Sequence, residues 1–238
     1  MKVLDKGEVT LLNRMGGDES VIAAARVSNG VTYDEASKGP EADQKLINYL
    51  VKHRHGTPFE HATFQFYIKA PLFVRSEWHR HRMASYNEIS GRYVKYEPEF
   101  YIPQQYRVPG KTNKQGSHFP ESYDEVAEYV TGKEDLMAWH HAMESIVKRA
   151  CKEAFESYEL LIDCNVAKEM ARMVLPPNLY TQFYMTVNAR SLMNFLSLRA
   201  AEDAQYEIRQ YAIGMKQMFE EAMPMTYNAW EQNGFIAP

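Results

Sequence analysis

Residues 80–93 read RHRMASYNEISGRY, which sets three arginines, a histidine, two serines, an asparagine and a glutamate within 14 residues. Such density is costly to bury unless each group has a partner. A merely solvated helix face would carry Lys and Glu at helical spacing. This segment instead offers planar guanidinium forks, which match phosphate or carboxylate oxygens two at a time. Ser90-Gly91 adds a hydroxyl and a flexible backbone that can bring N–H groups close to an anion. Between Arg75 and Arg92, four arginines and two histidines stand against only Glu77 and Glu88, in a chain whose net charge is −4. A locally basic segment in an acidic protein fits small phosphate groups better than a nucleic-acid track. The competing reading is a helix end and polar loop with incidental arginines, and residue types alone name no reaction.

Other chemistries fit less well. Five histidines fall at 53, 55, 61, 79 and 81. In an extended chain His53 and His55 alternate sides, and on a helix His79 and His81 point about 200° apart, so neither pair is a natural chelate and no metal is expected. Cys151 and Cys164 are too few and too far apart for a CxxC site and read as buried structural thiols in a reducing cytoplasm. Ser90 has no histidine placed to activate it and reads as a phosphate or backbone ligand. A non-catalytic nucleic-acid module would use Arg80, Arg82 and Arg92 with Tyr86 and Tyr93 as stacking platforms.

The elements that must position this segment can be read around it. Residues 2–15 read as strand, with turns at Lys6-Gly7 and Gly16-Gly17, and Ser20 is expected to cap a helix through Val27. Residues 41–54 place Leu46, Ile47, Leu50 and Val51 on one helical face. His61–Lys69 alternates as a half-buried strand. Pro71 suits the first position of a helix running to about Met83. Residues 108–120 form the clearest loop, and two helices follow, the stronger from Asp135 to about Asp163. Asn165 is expected to cap a short helix that Pro176-Pro177 ends. Tyr180–Val187 reads as strand, Asn188 caps a helix carrying Leu192, Phe195, Leu196 and Leu198, and a last helix runs from about Ala204 to Glu221. The sum is α+β, with helices packed around a mostly antiparallel sheet in a single domain. No apolar run approaches the roughly 20 residues that span a bilayer, and the N-terminus lacks a signal-like apolar stretch, so a cytoplasmic protein is expected.

Arg80-His81-Arg82, Ser85, Asn87-Glu88, Ser90 and Arg92-Tyr93 reproduce all nine fixed positions of the motif RHRxxSxNExSxRY. In this the chain resembles the flavin-dependent thymidylate synthases. HGTPFEH at 55–61 and RMVLPPNLYTQFYMTVNARSLMNFLSLR at 172–199 resemble two further segments of that family, and the likeness is poorest at 108–135. The resemblance implies one domain over 1–238, with reductive methylation of dUMP to dTMP by FAD, NADPH and 5,10-methylenetetrahydrofolate. It implies FAD contacts at Thr57, Arg80, His81, Arg82, Glu88, Asn188, Arg190 and Asn194. Contacts to dUMP are implied at Arg80, Glu88, Ser90, Gly91, Arg92, Arg172 and Arg199, with Arg199 as the catalytic group, and His55 is implied near the flavin and folate rings. Glu77 falls where some relatives carry a nucleotide-contacting glutamine; a carboxylate there would repel phosphate, so it should face a sugar hydroxyl or an arginine, or miss the ligand. Relatives are homotetramers with active sites where subunits meet, so one pocket would mix residues of several chains. No nucleic-acid polymer or membrane is implied as a partner.

Overall fold

The computed structural model describes residues 1–110, 116–126 and 135–238. Its main sheet is antiparallel throughout and is built from β1 (Lys2–Val3), β2 (Gly7–Met15), β3 (Thr63–Pro71), β4 (Ala84–Glu88) and, much later in the chain, a strand at Tyr180–Asn188. Between them, β5 (Val108–Pro109) and β6 (Ser117–His118) form a separate small ladder, which makes the Tyr180–Asn188 strand β7. The spatial order of the main sheet is β1-β2-β3-β7-β4. The helices are α1 (Asp18–Arg26), α2 (Pro40–Lys52), α3 (Leu72–Trp78), α4 (Leu136–Asp163), α5 (Lys168–Ala171), α6 (Ala189–Arg199), α7 (Tyr206–Ala222) and α8 (Pro224–Gln232). This is the expected α+β arrangement.

Period-two alternation sorts the faces of the sheet. Phe64, Phe66, Ile68 and Ala70 of β3, with Phe183, Met185 and Val187 of β7, are buried in the main core. Leu192, Phe195 and Leu196 of α6 and Ile208, Tyr211, Met215 and Phe219 of α7 close over that side at helical spacing. On the opposite face, Gln182 and Tyr184 of β7 and Ser85 and Asn87 of β4 are exposed. A second apolar cluster joins Cys151, Phe155 and Tyr158 of α4 to Phe100 and Leu179.

Several local expectations are corrected. The first helix begins at Asp18 with Gly17 as its cap, so Ser20 lies inside it. Pro71 ends β3 and caps α3, which stops at Trp78 rather than near Met83. The chain then turns through Arg80–Arg82 into β4, a strand that the polar density of the segment had hidden. Asn165 adopts φ 62° beyond the end of α4, a left-handed conformation that Asn tolerates, and the short helix starts only at Lys168. Residues 57–61 are a 3-10 turn, so β3 starts at Thr63 rather than His61. The 108–120 loop contains the β5–β6 ladder, and residues 111–115 lie outside the described residues. The weaker of the two helices expected after it falls partly on residues 127–134, which also lie outside them; Tyr123–Glu125 is a 3-10 turn. Helix α8 was not anticipated.

Helix α8 has no capping side chain of its own, and a distant residue takes that role. The Asp18 carboxylate accepts from Met225 N (2.8 Å), Thr226 N (3.0 Å) and Thr226 Oγ1 (2.6 Å). Burial raises the pKa of Asp18, and these three hydrogen bonds oppose the rise. Replacing Asp18 with Ala strands buried donors and is expected to cost about 2 kcal/mol in denaturant unfolding. A loss below about 0.5 kcal/mol, the range of an ordinary surface substitution, would show that α8 does not depend on this contact.

Candidate active site

Trp78, the last residue of α3, is fully buried. Its ring stacks on Phe195 at 5.1 Å and meets Phe183 (5.3 Å) and Tyr211 (5.6 Å) edge-on, while Nε1 donates to Met185 Sδ at 3.1 Å. The backbone that leaves this anchor carries Arg80-His81-Arg82. The Tyr86 hydroxyl lies 2.9 Å from the His81 carbonyl and 3.3 Å from that of Trp78, fastening the turn to β4. Burial pushes the Tyr86 pKa up to about 12, so it stays a donor at neutral pH. On the facing side, Asn188 ends β7 and caps α6 as expected, its Oδ1 accepting from Ser191 N at 2.8 Å.

These two devices bring separated segments together. Arg80, His81, Arg82, Asn188, Arg190, Asn194 and Arg199 line one cleft of about 670 Å³. His55 and Thr57 line an adjoining hollow of about 510 Å³, and Arg190 borders both. Arg199, at the end of α6, is held at three points. Its Nε donates to His81 Nε2 at 2.9 Å, Nη1 to the Glu77 carboxylate at 2.8 Å and Nη2 to the Glu77 carbonyl at 3.2 Å. Glu77 therefore faces an arginine. His81 accepts through Nε2, so it is neutral with its proton on Nδ1. Burial, and next the neighbouring Arg199 charge, hold its pKa down to about 4.

The remaining candidates lie at the other end of β4. Ala84 pairs with Val187 beside the cleft, whereas Glu88 pairs with Phe183, about 13 Å away at a strand's rise per residue. Glu88 accepts from Thr181 Oγ1 (2.7 Å) and pairs with Arg75 (3.1 Å). Ser90 Oγ accepts from Arg92 N at 3.3 Å, and Gly91 lies against the Tyr96 ring where a Cβ would not fit. Arg92 and Arg172 converge on Glu169, bonding its carboxylate (2.9 Å) and its carbonyl (3.3 Å). Within one chain, then, Arg92 and Arg172 meet at Glu169, Ser90 and Gly91 adjoin Arg92 in the chain, Glu88 is engaged by Thr181 and Arg75, and none of the five lines the cleft.

Sequence reading overlooked Glu60 and Pro238, which both line the cleft and bond Arg190. Glu60 lies inside the HGTPFEH segment and was within reach of that signal; nothing in the sequence marks Pro238. Of the groups the alternatives would use, Tyr93 is exposed. His81 Nε2 is taken by Arg199, and among the described residues no cluster of His, Cys, Asp or Glu is arranged to hold a metal. Tyr86 is fastened inside the fold rather than free to stack on a base. Cys151 is buried beside Asn178 as expected, but Cys164, at the solvent-facing end of α4, is exposed rather than buried; both lie outside the cleft. Among the described residues no helix is long and apolar enough to cross a membrane.

The chain is similar to several known proteins. The family model described as "Thymidylate synthase complementing protein" matches residues 10–225. A flavin-dependent thymidylate synthase of Thermotoga neapolitana is 46% identical over 228 residues, covering 96% of this chain and 92% of the relative. Another, from Kosmotoga olearia, is 43% identical over 230 residues, covering 97% and 92%. Among solved structures, a UMP/dUMP methylase PolB from Streptomyces cacaoi bound with 5-Br dUMP superposes with a TM-score of 0.83 at 34% identity, covering both chains fully. With that identity sustained over nearly its whole length, the chain belongs to the flavin-dependent thymidylate synthase family.

Proposed function

We propose that this protein methylates dUMP to dTMP as a single 1–238 domain. The one-carbon unit comes from 5,10-methylenetetrahydrofolate and the reducing equivalents from NADPH by way of FAD. The observation that carries this reading is the convergence of two sequence-distant segments, Arg80–Arg82 and Asn188–Arg199, on one cleft. Its volume lies within the range of cofactor sites, and its guanidinium and amide donors suit the pyrophosphate of a dinucleotide. Arg80, His81, Arg82, Asn188, Arg190 and Asn194 would hold FAD, with Thr57 and His55 in the adjoining hollow near the flavin and folate rings and Glu88 reaching it from a second subunit. When bound, the reduced flavin supplies the hydride and helps carry the one-carbon unit.

The residues of the chain bind and polarise the nucleotide. Arg199 is proposed to stabilise negative charge developing on the uracil ring, in place of a cysteine nucleophile, since Cys151 and Cys164 are remote. His81 stays neutral and orients the Arg199 Nε, and Glu77 holds the opposite edge until substrate arrives. Arg92 and Arg172, with Ser90 and the Gly91 backbone, form the phosphate end, and Arg80 contributes from the cleft. Because the two ends are about 13 Å apart in one chain, the complete site is proposed to form where subunits of a homotetramer meet. The exposed face of β4 and β7, with Tyr184 at 48% accessibility, offers surface for that contact. The protein is proposed to act in the cytoplasm.

The direct test is dTMP formation by purified protein with FAD, NADPH, dUMP and methylenetetrahydrofolate, each omitted in turn. Product is expected only from the complete mixture, and product formed without FAD would refute the flavin reading. Arg199→Ala is expected to lower kcat about 10²–10³-fold at saturating dUMP. Glu77→Gln keeps a hydrogen bond but removes a carboxylate that competes with the uracil oxygen for Arg199, so the dUMP KM should fall about two- to fivefold. A KM increase of about tenfold instead would make Glu77 a required substrate contact.

The depressed His81 pKa has a signed consequence. The unfolded chain binds this proton more readily, so the contribution of His81 is complete above its ordinary pKa and is lost as pH falls toward about 4. Between about pH 6.5 and pH 4.5 the wild-type melting temperature should therefore fall further than that of His81→Gln. Parallel decline of the two proteins would contradict the assignment.

A further inference from the structure

The segment after α8 doubles back over α6. Gly234 (φ 70°) and Phe235 (φ 57°) both take left-handed conformations, and for Phe235 this is strained. Such strain persists only where the surroundings fix it. Here the Phe235 amide donates to the Trp230 carbonyl at 2.9 Å, and its ring meets Trp230 edge-on at 4.9 Å. The Lys216 ammonium lies 3.1 Å from the centre of the Phe235 ring, a cation–π contact on the other side. The Ser197 hydroxyl of α6 is 2.6 Å from the Phe235 carbonyl and 2.8 Å from that of Met193, its single proton serving one at a time. Helices α6, α7 and α8 thus all hold this one residue.

Beyond Phe235 the chain reaches the cleft. Ala237 and Pro238 line it, Pro238 is buried, and its backbone oxygen accepts from Arg190 Nε at 3.0 Å. Arg190 Nη1 donates to Glu60 at 2.6 Å. These two contacts occupy two of the five guanidinium donors and leave three for a ligand. They also pull in different directions. Arg190 stands on the wall between the cleft and the hollow of His55 and Thr57, packed on Gly56, so with the Pro238 contact gone Glu60 would be its remaining hydrogen-bond partner among the described residues.

We propose that residues 235–238 act as a strap whose role is to position Arg190 for the anionic cofactor, making this backbone a positioning element of the FAD site. The inference rests on the reading of the cleft as that site. Neither Ser197 nor Phe235 touches the ligand in this account; both act through the Pro238 backbone oxygen and Arg190. Because a backbone oxygen cannot be removed by substitution, the strap is best tested by deleting Ala237 and Pro238 from the full chain. A Ser197→Ala variant loosens the same strap from its far end.

FAD affinity would be followed by flavin fluorescence on titration, and dUMP affinity by calorimetry, for wild type, the deletion, Ser197→Ala, Arg190→Ala and the deletion in the Arg190→Ala background. The deletion should weaken FAD binding about fivefold, the scale of one ordinary hydrogen bond, with dUMP affinity unchanged and the melting temperature lowered by no more than a few degrees. Ser197→Ala should shift FAD affinity in the same direction by less. In the Arg190→Ala background the deletion should have no further effect. Unchanged or tighter FAD binding by the deletion would overturn the proposal, as would an equal weakening in the Arg190→Ala background. Wild-type protein that binds no FAD would instead refute the reading of the cleft, and the strap would fall with it.

Discussion

The burial of Trp78 is the constraint on which the site depends. A large aromatic ring packed among Phe183, Phe195 and Tyr211 fixes the end of α3 in the main core. Arg80, His81 and Arg82 come directly after this rigid anchor. Cationic side chains repel one another and gain solvation by spreading apart, so a cluster of them needs a scaffold that is stable without them. Trp78 from one side, and the β7–α6 junction capped by Asn188 from the other, supply that scaffold. The cleft is the space left between these two chain reversals.

The charge of the site is managed by carboxylates that it also has to give up. Glu77 pairs with Arg199, Glu60 with Arg190 and Glu169 with Arg92. All three pairs are partly exposed, so each is weak enough for a ligand anion to replace. A bound nucleotide or dinucleotide would exchange one counter-charge for another rather than meet bare cations. Dividing the arginines between the two ends of β4 works in the same sense, because the full positive charge would assemble only when subunits meet.

Legibility in the sequence followed the range of the interaction involved. Period-two alternation in β3 and β7, the helical spacing in α2, α6 and α7, and the Asn188 cap are local, and residue types alone located them. Strand β4 was hidden because its alternation is short and weak: Ala84 and Tyr86 pack on the core, while Ser85 and Asn87 face outward and Glu88 serves an ion pair. The short extent of α3 was missed because Trp78 stops it through tertiary packing, not through a local breaker. Glu60 and Pro238 reach Arg190 from 130 and 48 residues away, a separation at which sequence spacing carries no information. The motif marks the candidate residues as one set, yet it cannot tell that a single chain divides them into two groups.

Completion of one site by these two groups, drawn from different subunits, can be tested directly. Arg199→Ala and Arg92→Ala chains would be co-expressed and the mixed oligomers assayed for dTMP formation. Each variant alone should be nearly inactive, while random mixing should restore roughly a quarter of the sites, because some would draw an intact Arg199 from one chain and an intact Arg92 from the other. Mixed oligomers no more active than the separate variants would contradict the account and require both arginines to act within a single chain.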